Sequence, residues 1–396
     1  MNIDPLLLFP ALLAGIITSL LPGMHPNSIG AILNPLFGSE NGWALALVAM
    51  LGVRMALQFL PSILIGVPEG DTQISLLPGQ RMRKEGRGLE AIAVCAFSVV
   101  LAVAAALVLS PLIMPFMPAT FAFVKPLTGW LLAVAVAALL LDEREARRIC
   151  LAAVVFFLAG TLGAVTWNLP LLDPLFALFV GFFTMPALLH GERIGGEDKG
   201  LAQKTESLRI RPLLPYILLG VVLGGLADLL PGLSTPAQIA VFAALFVPLD
   251  EPARFLSLVA AIEASHTAFA LTSSATVGVA RVGVIAMVAQ NSPIRPADLP
   301  ALMGVFAFSV GAGALALLWI GKRVMKHWQK IDWTSLGRML ATYLVFVIFI
   351  NDGWLGVLTL ATATAIGMLP AAWGVRRTHV MGALILPAML HAFGMI

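Results

Sequence analysis

Long apolar runs, separated by short polar or arginine-rich segments, recur from one end of this 396-residue chain to the other. They constrain the fold more than any other feature. In hydrocarbon every backbone N–H and C=O must be satisfied internally, so such runs are admissible only as helices or closed barrels. These runs are continuously apolar and do not alternate, which argues against a barrel. Residues 43–66, 89–117, 127–141, 149–168 and 174–190 read as spans, and a second set reads 252–271, 300–321, 335–350, 354–374 and 379–393. Only 11% of residues are charged, against about a quarter in soluble domains. The expected fold is an all-α polytopic membrane protein with about ten transmembrane helices, multi-pass in the cell membrane. The first twenty residues lack a basic n-region and a small-residue cleavage site, so they read as part of the fold rather than as a signal peptide.

The two sets of spans are related. Adding 209 to the starts of the first gives 252, 298, 336, 358 and 383, within about four residues of the second. The string "LLPG" occurs at 20–23 and again at 229–232, and Gly15 and Gly224 share the same offset. Two structurally related halves, 1–211 and 212–396, are therefore expected. The Lys and Arg residues concentrate in 81–87, 143–148, 192–211, 321–330 and 375–379. Two spans separate successive basic loops within a half, so all can face the cytoplasm. That distribution explains the net charge of +3 and pI of about 9.1 without a nucleic-acid partner. Loops near 118–126, 169–173, 291–299 and 351–353 would face outward. If residues 6–37 form a re-entrant hairpin, each half has an odd number of crossings and the second half is inverted, with 213–248 as the mirror hairpin. If each broken segment crosses fully, the repeats are parallel. Inversion is the favoured expectation.

Proline removes a backbone donor and glycine relaxes the chain, so each "LLPG" is expected to end a half-helix inside the membrane. "His-Pro-Asn-Ser" at 25–28 and "Ser-Thr-Pro" at 234–236 then restart helices behind polar caps. Irregular backbone at membrane depth is tolerated where it is buried in protein or lines a wet cavity. Helix N-termini aimed into such a cavity suit an anion. Pro22, Gly23, His25, Asn27 and Ser28, with Pro231, Gly232, Ser234 and Thr235, are candidate substrate-binding residues; paired kinks in packed helices are the plainer alternative. A second pair of polar breaks, 67–79 and 272–283, adds Thr72, Ser273 and Ser274. Arg54 lies mid-span, and its counterpart at the 209 offset is Glu263. Intramembrane charges are costly and usually face a partner or water, so the two are expected to approach each other, unless each snorkels separately. His266 follows Glu263 by one turn. Glu69, Asp71, Asp228, Glu263 and His266 are candidates for coupling to H⁺ or Na⁺. His190 and His391 sit near the ends of spans, where an interfacial role is the simpler reading.

Cys95 and Cys150 show no metal-ligand spacing, and no hydrolase, Walker or zinc signature occurs. No catalytic residue, resident metal or cofactor is expected, beyond Na⁺ as a coupling ion.

Several ordered elements resemble one family. They are the duplicated "LLPG", the segment 63–92 with its Gly86, Arg87, Glu90, Ala91 turn, "AIEASHTAF" at 261–269, and the ending 367–390. Together they resemble the large membrane subunit of tripartite tricarboxylate transporters, the TctA family, in a compact, archaeal-type form. The resemblance implies a permease working with a small membrane subunit and an extracytoplasmic binding protein. It departs where Pro68, Glu69, Gly70 and Asp71 replace an Asn-Thr-Pro-Gly loop, and where Ser265, His266 and Thr267 replace an Asn-rich stretch. Added carboxylates disfavour a trianion unless cations neutralise them. The expected function is secondary transport of a small organic anion, a di- or tricarboxylate or related carboxylate, by one half rocking against the other. One rival is a polyprenyl-phosphate translocase using the same site. A second is a membrane-embedded enzyme with Glu263 and His266 as acid and base. Expected partners are the anion, the bilayer and a second copy in a homodimer.

Overall fold

A computed structural model describes residues 5–21, 26–38, 42–64, 76–172, 174–189, 209–229, 251–327 and 332–395. Among them no β-strand occurs, and seven helices are long and apolar enough to cross a membrane. The count is lower than the ten expected for two physical reasons. The segments expected at 89–117 and 127–141 join into one helical stretch, Gly88–Leu141, and those at 335–350 and 354–374 into another, Ser335–Trp373. The segments expected at 174–190 and 379–393 are short helices. The limb Arg211–Asp228, expected to be half of a hairpin, is long enough to count.

The joined stretches are too long to be single crossings: 54 residues rise about 81 Å, against a hydrocarbon core of about 30 Å. The first divides into α6 (Gly88–Ile113), α7 (Met117–Val124) and α8 (Thr128–Leu141), separated by two 3₁₀ turns that carry Pro115 and Pro126. The outward loop expected near 118–126 is this helical, proline-punctuated passage. The second stretch lies in α16 (Trp333–Trp373), which breaks at Gly353, where φ is 61° and ψ −152°. Only glycine adopts that backbone cheaply.

The chain begins with α1 (Pro5–Leu20) and α2 (Pro26–Phe37), of 16 and 12 residues. Both are short for a crossing, as the broken-hairpin reading requires. Next come α3 (Trp43–Leu57) and α4 (Phe59–Leu64), then α5 (Leu76–Lys84) leading into α6. After α8 follow α9 (Ala146–Trp167), α10 (Pro174–Phe179), a π-helical turn Val180–Thr184 and α11 (Met185–Leu189). The second half has α12 (Leu214–Leu229), α13 (Pro252–Thr276), α14 (Gly283–Asn291), α15 (Leu299–Lys326), α16 and α17 (Gly382–Ala392). Helices α3 and α13 are buried on all sides over almost their whole length, and α13 carries Glu263, His266 and a series of Ser and Thr residues inside the protein.

Equivalent helices pack alike. A Cβ on Gly15 of α1 would lie 2.9 Å from Val53 Cβ, and one on Gly224 of α12 would lie 2.7 Å from the Ile262 carbonyl. Val53 and Ile262 are themselves 209 residues apart. The absent side chains let α1 close on α3 and α12 close on α13. The cross-half contacts are reciprocal as well. Helix α3 packs on α15, and its counterpart α13 packs on α6, the counterpart of α15. Gly52 meets Phe306 and Ser309 while Leu60, further along, meets Gly321, so α3 and α15 run parallel. Thr272 donates to Ser110 Oγ (3.1 Å) and Thr276 meets Met117 Sδ (3.7 Å), so α13 and the stretch beginning with α6 run parallel. Gln58 donates to Glu263 Oε1 (3.4 Å) and Thr267 donates to Met55 Sδ (3.2 Å), so α3 and α13 run antiparallel. The same exchange occurs in the later helices: α9 packs on α17, and the second arm of α16 packs on α10 and the π-turn.

The halves are thus interleaved rather than set side by side. One core gathers α3 to α6 with α12 to α15; the other two gather α8 to α11 with α16 and α17. Ala227, Phe255, Leu258, Val259 and Ile262 of α12 and α13 carry the seam into the second group. Two inter-helix turns close one end of that second group. Arg376 N–H donates to Glu143 Oε1 (2.8 Å), His379 Nε2 meets the same oxygen (2.8 Å), and Arg376 pairs with Asp142. These turns belong to basic loops expected on one side of the membrane. Leu172 N–H donates to Asp352 Oδ1 (2.6 Å), joining two of the loops expected on the other side.

Candidate anion and ion-coupling site

Helix α2 starts at Pro26, with proline at its first position as the restart motif demands. Helix α14 starts at Gly283 after the break that follows α13, and its N-cap Val282 gives no side-chain cap. The two beginnings lie side by side: a Cβ on Gly283 would fall 2.6 Å from Asn27 Nδ2. About two turns later, Asn34 and Asn291 exchange amide hydrogen bonds of 3.1 and 2.6 Å, and Trp43 donates to Asn34 Oδ1 (3.0 Å). The helices therefore run in parallel, with their N-termini together. Unpaired N–H groups and aligned dipoles give that end a positive potential.

Arg281 stands two residues before α14. It lies close enough to Asp228, at the end of α12, to interact electrostatically, and its guanidinium is 5.8 Å from the Phe121 ring centroid. Asp228 is buried, and neither carboxylate oxygen meets a hydrogen-bond donor within bonding range among the described residues; Ser273 and Arg281 are its polar surroundings. His266 is buried within electrostatic range of Arg281, and its Nδ1 meets no hydrogen-bond partner among the described residues. Ser273 donates to the Val279 carbonyl (3.1 Å), and so braces the turn that presents Arg281. Ser274 is buried near the end of α13.

Arg54 and Glu263 are both buried, at 3% and 1% exposure. Arg54 Nη1 donates to the Thr18 carbonyl (3.1 Å) in the last turn of α1. There a guanidinium satisfies an orphan carbonyl and meets the negative end of the half-helix. Thr18 and Ser19 turn their hydroxyls back onto the Gly15 carbonyl (3.1 and 2.5 Å). Glu263 receives Gln58, one turn beyond Arg54. Both charges expected from the 209 offset are thus buried in the protein, with Thr18 beside Arg54 and Gln58 beside Glu263 as neighbours that sequence reasoning missed.

Arg281 was missed too, although it is the sole Lys or Arg between 255 and 294 and sits in a small-residue break. That isolation is the signal that could have found it. Pro22, Gly23, His25, Glu69, Asp71, Thr72, Pro231, Gly232, Ser234 and Thr235 lie outside the described residues, as do His190 and the side chain of Ser28. No group of three or more His, Cys, Asp or Glu that could hold a metal ion occurs among the described residues.

The chain's residues 6–382 match the model of the tripartite tricarboxylate transporter TctA family. The chain belongs to this family. TctA proteins are transporters, not enzymes, and the helices above make this one a multi-pass membrane protein. The chain is also 25% identical, over 98% of its length and 98% of the other's, to an uncharacterized protein of Methanocaldococcus jannaschii. No solved structure matches it.

Proposed function

We propose that this TctA protein is a secondary transporter of a small organic anion, a di- or tricarboxylate or related carboxylate. The observation that carries the proposal is the pairing of the α2 and α14 N-termini next to Arg281. Two helix starts and one guanidinium suit a carboxylate at membrane depth without an exposed lysine. Asp228 competes for Arg281 while the site is empty, and substrate takes its place. Asp228, Glu263 and His266, with Glu69 and Asp71, are the groups that take up H⁺ or Na⁺, so that a driving gradient reaches the anion.

The antiparallel crossing of α3 with its own counterpart α13 supports inverted repeats. Two equivalent spans pointing opposite ways are related by an axis lying in the membrane plane. Because the halves interleave, one half cannot rock against the other as a rigid unit. We place the motion instead between two composite bodies, α1–α6 with α12–α15 and α8–α11 with α16–α17. The cell membrane is the proposed location. A small membrane subunit and an extracytoplasmic binding protein, as the family name implies, are the proposed partners.

A thermal-shift screen of purified protein tests the substrate class, since a ligand that binds only the folded state stabilises it. Di- or tricarboxylates are expected to raise the Tm. The variant Arg281→Gln should weaken that binding by about ten- to a hundredfold, the range for a hydrogen bond to a charged group, and Arg281→Lys by less. Stabilisation by polyprenyl phosphates alone would overturn the carboxylate assignment.

A further inference from the structure

Apart from the proposed transport site, a cavity of about 320 Å³ opens where α9 begins and α16 ends, lined by Glu145, Arg147, Arg148, Leu151, Ala372 and Trp373. Both helices cross the membrane, and the cavity lies at the ends of their apolar stretches. It is at headgroup depth, where Trp and Arg side chains concentrate. We propose that it binds one anionic glycerophospholipid from the leaflet on the side of the basic loops.

The cavity's charges favour a phosphate. Glu145, its one carboxylate, pairs with Arg148 (3.2 Å), and this leaves Arg147 exposed and without an ion-pair partner among the described residues. As N-cap of α9, Glu145 gives no side-chain capping bond. The first-turn N–H groups therefore add to the positive potential that the two arginines supply. The half-buried Trp373 offers an indole edge at the level of the glycerol backbone.

Below the cavity the surface is made for acyl chains. Residues 147, 151, 154 and 158 follow the 3–4 spacing that places them on one face of α9. Leu151 is half-buried, and Val154 and Leu158 are 46% and 44% exposed. The opposite face, with Ala152, Phe156, Ala159 and Gly163, packs inward. One continuous stripe thus runs from guanidinium to hydrocarbon, the order of groups in a phospholipid. A soluble phosphate would leave the apolar part of the stripe unused.

Native mass spectrometry of the full chain, purified from membranes containing phosphatidylglycerol and phosphatidylethanolamine, tests the site. The wild type is expected to retain one phosphatidylglycerol per chain at energies that strip phosphatidylethanolamine. Arg147→Ala and Arg148→Ala should each weaken that retention about fivefold, the effect of one arginine near an anionic surface, and Glu145→Gln should strengthen it. Brominated phosphatidylglycerol should quench Trp373 more than brominated phosphatidylcholine does, and the difference should vanish in Trp373→Phe. Equal retention in wild type and the double arginine variant, or equal quenching by both lipids, would mean unspecific annular lipid and would overturn the proposal.

Discussion

Arg281 and Asp228 show what single residues reveal in a chain like this. Asp228 was legible as a carboxylate next to "LLPG". Arg281 was passed over because it lies in a break rather than a span, and only the fold brings the break back to α12. Arg54 and Glu263 were legible as mid-span charges. Their neighbours were not, because a repeat offset names equivalent positions, whereas antiparallel equivalents touch one turn apart, Gln58 on Glu263. The Glu143–His379 contact was not legible either, since its members are 236 residues apart. Burial holds the His379 imidazole below its usual 6.5, only partly opposed by Glu143. Burial pushes Glu143 up, but the bonds from Arg376 N–H and His379 outweigh it and leave the carboxyl below 4.5. Nε2–H must donate, because the carboxylate can only accept. Both folded pKa values lie below the unfolded ones, so the stability they contribute is present above pH 6.5 and falls away on acidification, first through His379 and then through Glu143. Asp142 and Arg376 are the other charges facing the pair. The Tm is expected to drop between about pH 7 and pH 5, and His379→Gln should flatten that slope; an unchanged slope would remove His379 as its source.

At the scale of the helix, what the sequence made plain was where chains break. The proline at the start of α2 and the short limbs of 16 and 12 residues were foreseeable from "LLPG" and "HPNS". The joining of α6 to α8 through 3₁₀ turns was not, because prolines at the first positions of short helical turns continue the chain instead of ending it. Nor was the π-turn at Val180–Thr184, where Gly181 lets the backbone approach Leu360 and Ala363 of α16. Glycine spacing is a better guide to packing than to breaks. Gly224→Val should lower the Tm, through an overpacking cost of about 1–3 kcal/mol in stability, because its Cβ meets the backbone of α13. Gly15→Val should do the same at the equivalent contact. Gly304→Ala, where a Cβ meets nothing within 4 Å, should leave stability unchanged or raise it by about 0.5–1 kcal/mol. A differential scanning fluorimetry series on the three variants checks the ranking.

At the scale of the molecule, the all-helical membrane class was visible in composition, and the 209-residue offset named which helices to compare. Their interleaving was not, because a repeat shows which elements correspond and not which surfaces they bury. The structure places α3 against α15 and α13 against α6, which makes each half the scaffold of the other. Motion between halves and motion between composite bodies then have different consequences. Ser110→Cys with Thr272→Cys, in a background lacking Cys95 and Cys150, joins the halves within one body, across a contact of 3.1 Å between hydroxyls. Oxidation is expected to close this bridge and leave transport intact; loss of transport on oxidation, restored by reduction, would show that the halves themselves must separate.

Uptake of a labelled carboxylate into proteoliposomes, with and without an imposed Na⁺ or H⁺ gradient, addresses the transport claim itself. The account predicts gradient-driven accumulation by the wild type, uptake at low substrate concentration reduced by about ten- to a hundredfold in Arg281→Gln, and exchange without accumulation by Asp228→Asn. Undiminished accumulation by Arg281→Gln at low substrate concentration, or a wild type that moves no di- or tricarboxylate even with its partner subunits present, would contradict it.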